Sequence, residues 1–225
     1  MSLFNFSDED KILIEDCIKK GHKGWYDESL KNLKGRLKEH LRKKQKNVCC
    51  YCSRNINGES KMIVDIEHIL PKYKHKNHMF TLDNLAASCR RCNFQKGKKV
   101  DFLTSSFEKS ESPFDTQNYH FIHPNADIYE DHIKYIHVQT GSDLIVFYVI
   151  TPDSKKGCFS YDYFKLNDFV INSFDKAQGI KTEVETEVET EVETEVEVET
   201  AKNLFDSIDY IKEEIKNLGK KYNQK

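Results

Sequence analysis

Two short-spaced cysteine pairs, Cys49-x-x-Cys52 and Cys89-x-x-Cys92, constrain this chain more than any other feature. Thiolate is the preferred soft donor of Zn²⁺, and a structural zinc takes four ligands in a tetrahedron. Each C-x-x-C turn offers two of them. The spacing therefore predicts a structural zinc that staples two distant turns together. Disulfides are the competing reading. They suit oxidising compartments, and no secretory signal precedes these cysteines, so a cytoplasmic location is expected. Cys50 would spoil the two-residue spacing, and Cys17 and Cys158 stand alone as buried or half-buried thiols.

The residues between the pairs alternate between strand and turn signals. Met62 to Ile66 is β-branched and apolar enough for a strand, with Asn57-Gly58 as a turn before it. Glu67-His68-Ile69-Leu70 follows, and Pro71 ends regular pairing. Thr81 to Ser88 offers a loop and a short second strand, and Cys92 to Lys96 a short helix stopped near Gly97. Metal-assisted hydrolysis needs a group that deprotonates water and a cation that steadies the charge that develops. A neutral histidine does the first near pH 7. A hard cation such as Mg²⁺ on oxygen ligands does the second. His68 offers the base, and Glu67 and Asn93 offer oxygens. The bland alternative makes His68 a surface histidine and Asn93 a helix N-cap.

IEHILPK followed by NLAASCRRCNFQKG resembles the HNH endonuclease family, in its HNN-type variant. The resemblance covers Cys49 to Lys99 and implies a ββα-metal core. It implies His68 as general base and Asn84 as the asparagine that ties the loop and orients that histidine. It also implies Asn93 as the last motif position, sharing a catalytic divalent cation with Glu67, which stands where an aspartate is more frequent. Adjacent strand residues face opposite ways. A bend before Pro71 is therefore expected, bringing Glu67 and Asn93 within roughly 4–6 Å of each other. Asp65 is the first substitute if Glu67 turns to a lysine.

Charge supports a nucleic-acid partner. From Lys72 to Lys99 eight lysines and arginines face one acid, Asp83. Lys72, Arg90, Arg91, Lys96, Lys98 and Lys99 are the candidate phosphate contacts. A basic helix from about Tyr26 to Gln45, with Leu30, Leu33, Leu37 and Leu41 on one face, leads into the first cysteine pair. It either extends that surface or is an ordinary amphipathic helix. The expected function is a metal-dependent HNH endonuclease acting on DNA, with RNA as the alternative substrate. The competing functions are a non-catalytic zinc-dependent nucleic-acid-binding module, and the nuclease subunit of a larger complex beside an ATPase in phage defence. No apolar run approaches the roughly 18 residues of a membrane span.

The expected fold class is α+β: a small zinc-stapled ββα-metal core with N-terminal helices, a following antiparallel β meander and a C-terminal helix. Residues 1–46 read as a basic helical segment, 47–105 as the nuclease core and 106–180 as an accessory region. In the last, Ile133–Val138, Asp143–Thr151 and Cys158–Phe164 read as strands, and Asn167 as the cap of a short helix. His120, His123, His132 and His137, with Asp127 and Asp131, show no tight ligand pattern. Residues 182–200 repeat TEVE with nine glutamates and no lysine or arginine, a charged linker that hides a basic body behind the formal net charge of −2. Residues 201–225 read as an amphipathic helix.

Overall fold

The segment between the cysteine pairs folds as two strands and a helix. The structure, a computed structural model of the chain, describes residues 4–60, 62–140 and 143–171. Strand β1 (Val64–His68) pairs antiparallel with β2 (Leu85–Cys89), setting Val64 opposite Cys89 and His68 opposite Leu85. Helix α3 follows β2 directly. We number the two N-terminal helices α1 (Asp8–Lys19) and α2 (Lys31–Lys44), so that α3 is Arg90–Lys96. It ends at Gly97, whose φ of 57° is a left-handed conformation that costs glycine little.

Both N-terminal helices brace this unit. Ser7 and Asp10 form a reciprocal capping box on α1. Short 3-10 turns, Gly21–Tyr26 and Glu28–Leu30, then lead into α2, shortening the helix expected from Tyr26. Gly24 lies so close to Cys17 that an added Cβ would sit 1.9 Å from the Cys17 carbonyl oxygen. Leu30, Leu33, Leu37 and Leu41 are all buried, as their spacing predicts. The Gln45 side chain accepts from the Ala87 N–H at 2.6 Å and donates to the Ala87 carbonyl at 2.8 Å, pairing the outer edge of β2 as a third strand would. Several basic residues of α2 are spent on structure. Arg36 pairs with Asp10, Lys43 with Glu39, Lys38 donates to the Val64 carbonyl and Arg42 to that of Ile56.

The accessory region departs from the expected meander in one element. Strands β3 (Ile133–Thr140) and β4 (Asp143–Ile150) form an antiparallel hairpin, but the third strand is a helix, α4 (Lys155–Tyr163). The aromatic residues of CFSYDYF read as strand formers, yet the burial of Gly157, Ser160 and Phe164 falls at spacings of three and four, the period of a helix. Ser154 caps it by accepting from the Gly157 N–H. Asn167 lies inside a 3-10 turn, Leu166–Phe169, rather than capping a helix. Cys17 is buried, whereas Cys158 on α4 is exposed. Buried side chains from Cys17 to Leu166 form one contiguous core. The hairpin reaches the first cysteine turn through the Tyr148 hydroxyl, which donates to the Cys52 carbonyl at 2.8 Å. Among the described residues no helix is long and apolar enough to cross a membrane. The acidic repeat and the C-terminal amphipathic stretch lie outside the described residues.

His123 gives this region a pH dependence. Burial pushes its pKa down to about 4, against the pull of Asp127. Its folded value lies below the ordinary 6.5, so the unfolded chain binds more protons between those values and stability falls as pH drops from about 6.5 toward 4. The full loss is about 3 kcal/mol for this group. Urea unfolding midpoints for the wild type and His123→Gln across that range test it: the variant should show the shallower fall, and parallel curves would exonerate His123.

Candidate active site

Four cysteines meet at the base of the ββα unit. The ligand atoms of Cys49, Cys52, Cys89 and Cys92 all lie within 4.8 Å of one another, all four residues are buried, and none is in a disulfide. A tetrahedral zinc with Zn–S bonds of about 2.3 Å has sulfur–sulfur edges of about 3.8 Å. The Sγ atoms of Cys52 and Cys89 are 3.9 Å apart, so the cluster fits zinc. The Cys89 N–H also donates to the Cys49 sulfur at 3.2 Å, a contact that favours thiolate. Among the described residues no other group of three or more His, Cys, Asp or Glu side chains converges in this way.

The loop after β1 is clamped by Asn84. This residue is fully buried. Its side-chain oxygen accepts from the Leu70 N–H at 2.7 Å, and its amide donates to the carbonyls of Leu70 and His78. Its own carbonyl accepts from the Ile69 N–H at 2.9 Å. Every one of these bonds falls on backbone of the loop between His68 and Asn84, so Asn84 is placed to position the loop rather than to touch a substrate.

His68 ends β1 and is only 5% exposed. Its ring meets Trp25 edge-on at 4.4 Å. Its Nε2 lies 3.0 Å from the Met79 carbonyl oxygen, which can only accept, so Nε2 carries the proton and Nδ1 keeps the lone pair. Burial holds the imidazole well below its ordinary pKa, the Lys72 ammonium pushes the same way and the Met79 carbonyl opposes. The ring is therefore neutral near pH 7 with Nδ1 ready to take a proton.

Glu67 and Asn93 each bond to a partner other than the one expected. Strand β1 stays regularly paired through His68 and the chain bends only after it, at Ile69 and Leu70, so Asp65 and Glu67 share one face while His68 takes the other. Glu67 is buried, its Oε1 paired with the Lys96 ammonium at 2.7 Å and accepting from the Tyr51 hydroxyl at 3.0 Å. Burial pushes this carboxyl up, with Lys96 and Tyr51 pulling it down. The helix residue one turn earlier, Asn93, donates to Asp65 Oδ2 at 2.8 Å instead. Both Asp65 and Asn93 are half-buried. Glu67 is tied through Oε1 to a buried ammonium, whose charge opposes a cation on the same carboxylate. The Asp65–Asn93 pair fits better: it has carboxylate oxygens, and Asn93 keeps its side-chain oxygen after giving its amide to Asp65.

Two expected phosphate contacts are likewise spent. Lys96 is buried against Glu67 and donates to the His68 carbonyl at 2.9 Å. Arg91 pairs with Asp168, donates to the carbonyls of Phe164 and Lys165, and lies 3.9 Å over the Phe169 ring. Arg90, Lys98 and Lys99 are exposed and Lys72 is half-buried, so these four keep their charge near the surface. Trp25, Met79 and Tyr51 were not foreseen as neighbours of the motif. Their contacts are long-range, and only the solitary Trp25 among lysines gave a signal.

These features coincide with a known family. The HNH endonuclease family model matches residues 49–99, the ββα unit with its cysteine cluster and His68, and this part of the chain is an HNH endonuclease domain. Among curated proteins, the Septu protein PtuB of Bacillus thuringiensis is 28% identical over 137 residues, 60% of this chain and 44% of that protein. The chain thus spans less than half the length of that relative. No solved structure matches.

Proposed function

We propose that this chain is a metal-dependent endonuclease that hydrolyses phosphodiester bonds of DNA, with His68 as general base and a zinc in the cysteine cluster as structural staple. The observation that carries the reading is the state of His68. Met79 fixes its tautomer, and its surroundings hold it neutral. Asn84 positions the loop behind it, and Lys72, Arg90, Lys98 and Lys99 supply charge for the phosphates. A divalent cation such as Mg²⁺ would stabilise charge on the phosphate and its leaving oxygen. Asp65 and Asn93 offer the oxygens to hold it, on the strand face opposite His68, so base and cation reach one phosphate only if the end of β1 turns when substrate binds. The burial of His68 favours one other reading, a binding module without catalysis. Incubating purified protein with supercoiled plasmid, with and without Mg²⁺, separates the two. Nicking or linearisation that requires the added cation is expected; an intact plasmid with Mg²⁺ and with Mn²⁺ would overturn the nuclease. For the biological setting we infer cytoplasmic phage defence with an ATPase partner, a reading that rests on the resemblance of the motif to nucleases of such systems.

The cation assignment makes a separate prediction. Asp65→Asn should raise the Mg²⁺ concentration needed for half-maximal cleavage and leave stability nearly unchanged. Glu67→Gln should do the reverse, because it strands the Lys96 charge in the core, a loss of about 3–5 kcal/mol. Mg²⁺ titrations and thermal melts on both variants test this. A Glu67→Gln protein that melts like the wild type but needs far more Mg²⁺ would return Glu67 to the cation site.

A further inference from the structure

The nuclease reading leaves a set of exposed aromatic rings unexplained. Tyr26 is 67% exposed, Tyr73 59% and Phe94 88%. Single apolar side chains at a surface need no explanation, but these sit beside the candidate site and among its lysines. Lys72 Nζ lies 5.4 Å from the Tyr26 ring and 5.9 Å from that of Trp25, the residue packed on His68. Lys98 Nζ lies 5.6 Å from the Tyr73 ring, whose other neighbour is His22 at 5.1 Å. Phe94 directly follows Asn93 on α3. Flat rings and ammonium groups thus alternate beside the motif.

That alternation matches the chemistry of an unpaired nucleotide strand, in which flat bases alternate with charged phosphates. A closed duplex keeps its base faces inside its own stack, so it can use the lysines but not the rings. An unpaired strand can use both, with bases stacked on tyrosine and phenylalanine and phosphates neutralised by lysine. Resting on the endonuclease reading and extending it to substrate class, we infer that Tyr26 and Tyr73 form a stacking platform for unpaired nucleobases and that the preferred substrate is single-stranded nucleic acid.

The test is binding by the full-length, zinc-loaded chain with no added Mg²⁺, read by fluorescence anisotropy. The probes are a mixed-sequence single-stranded DNA, the RNA of the same sequence, and the corresponding duplex. One or both single strands should bind about tenfold tighter than the duplex, and the DNA and RNA arms identify which. Tyr26→Ala and Tyr73→Ala should each weaken single-strand binding on the order of tenfold and leave duplex binding unchanged, whereas Tyr73→Phe should bind like the wild type. Equal affinity for strand and duplex, or alanine variants that bind single strands normally, would overturn the platform and leave these rings to a protein partner. Cleavage is scored separately after Mg²⁺ is added. Ring-dependent strand binding without cleavage upholds the platform and sinks the nuclease. Duplex cleavage untouched by the alanine variants, with no strand preference in binding, does the opposite.

Discussion

Replacing His68 with alanine should lower the single-turnover cleavage rate on the order of 10²-fold or more, since a positioned general base contributes about that much. The reason lies in the two ring nitrogens. Nε2 is committed to the Met79 carbonyl, so Nδ1 alone remains to take a proton from water. Alanine also removes a ring packed on Trp25, so a second variant is needed to separate chemistry from packing. His68→Gln keeps a polar side chain whose amide nitrogen reaches about as far as Nε2 and can still donate to Met79, but it has no nitrogen able to take a proton. Both variants should retain zinc and a cooperative melt, and both should be slow. If either cuts at near the wild-type rate, His68 is not the base. The depressed pKa adds a check on sign. A base that stays neutral below its ordinary 6.5 places the acid limb of the wild-type rate profile below that value, because activity is lost only when Nδ1 becomes protonated.

How far this site was legible depends on the range of each interaction. The ββα order could be read because its signals are local: cysteine spacing at both ends, a β-branched run, and a glycine where the helix must stop. The pairing of Asp65 with Asn93 and Glu67 with Lys96 could not be read from any one stretch, although its pattern was present. Asp65 and Glu67 are two apart on a strand and share a face, and Asn93 and Lys96 are three apart on a helix and share a face, so one pair can meet the other. The weight placed on Pro71 hid this. Proline ends pairing only at its own position, and β1 had already finished at His68. Lys96 and Arg91 were misassigned for a related reason. A lysine or arginine in a basic run looks free until the carboxylate that claims it is known, and Glu67 and Asp168 both come from other elements. The third strand failed because aromatic content was weighed above the spacing of Gly157, Ser160 and Phe164, and Ser154 was not credited as a cap.

Changing Cys89 to serine should cost the whole ββα unit its fold. Structural zinc contributes binding energy directly to folding, about 10–16 kcal/mol in small zinc domains, which is comparable to the total stability of an ordinary domain. Cys89 is the most exposed choice for the test because it does three things at once. It ends β2 opposite Val64, precedes the first residue of α3, and donates its N–H to the Cys49 sulfur. Elemental analysis should find one zinc per wild-type chain and a large loss in Cys89→Ser, with a thermal transition lowered or absent. A chelator applied to the wild type should reproduce the variant. Cys158→Ser, exposed on α4 and outside the cluster, controls for thiol loss and should keep both zinc and stability. A wild-type protein that is folded, active and free of zinc would refute the staple, and so would a Cys89→Ser protein that melts at the wild-type temperature. Because β1 carries His68, Asp65 and Glu67 and takes its register from β2, loss of the staple should abolish cleavage even though the cysteines take no part in the chemistry.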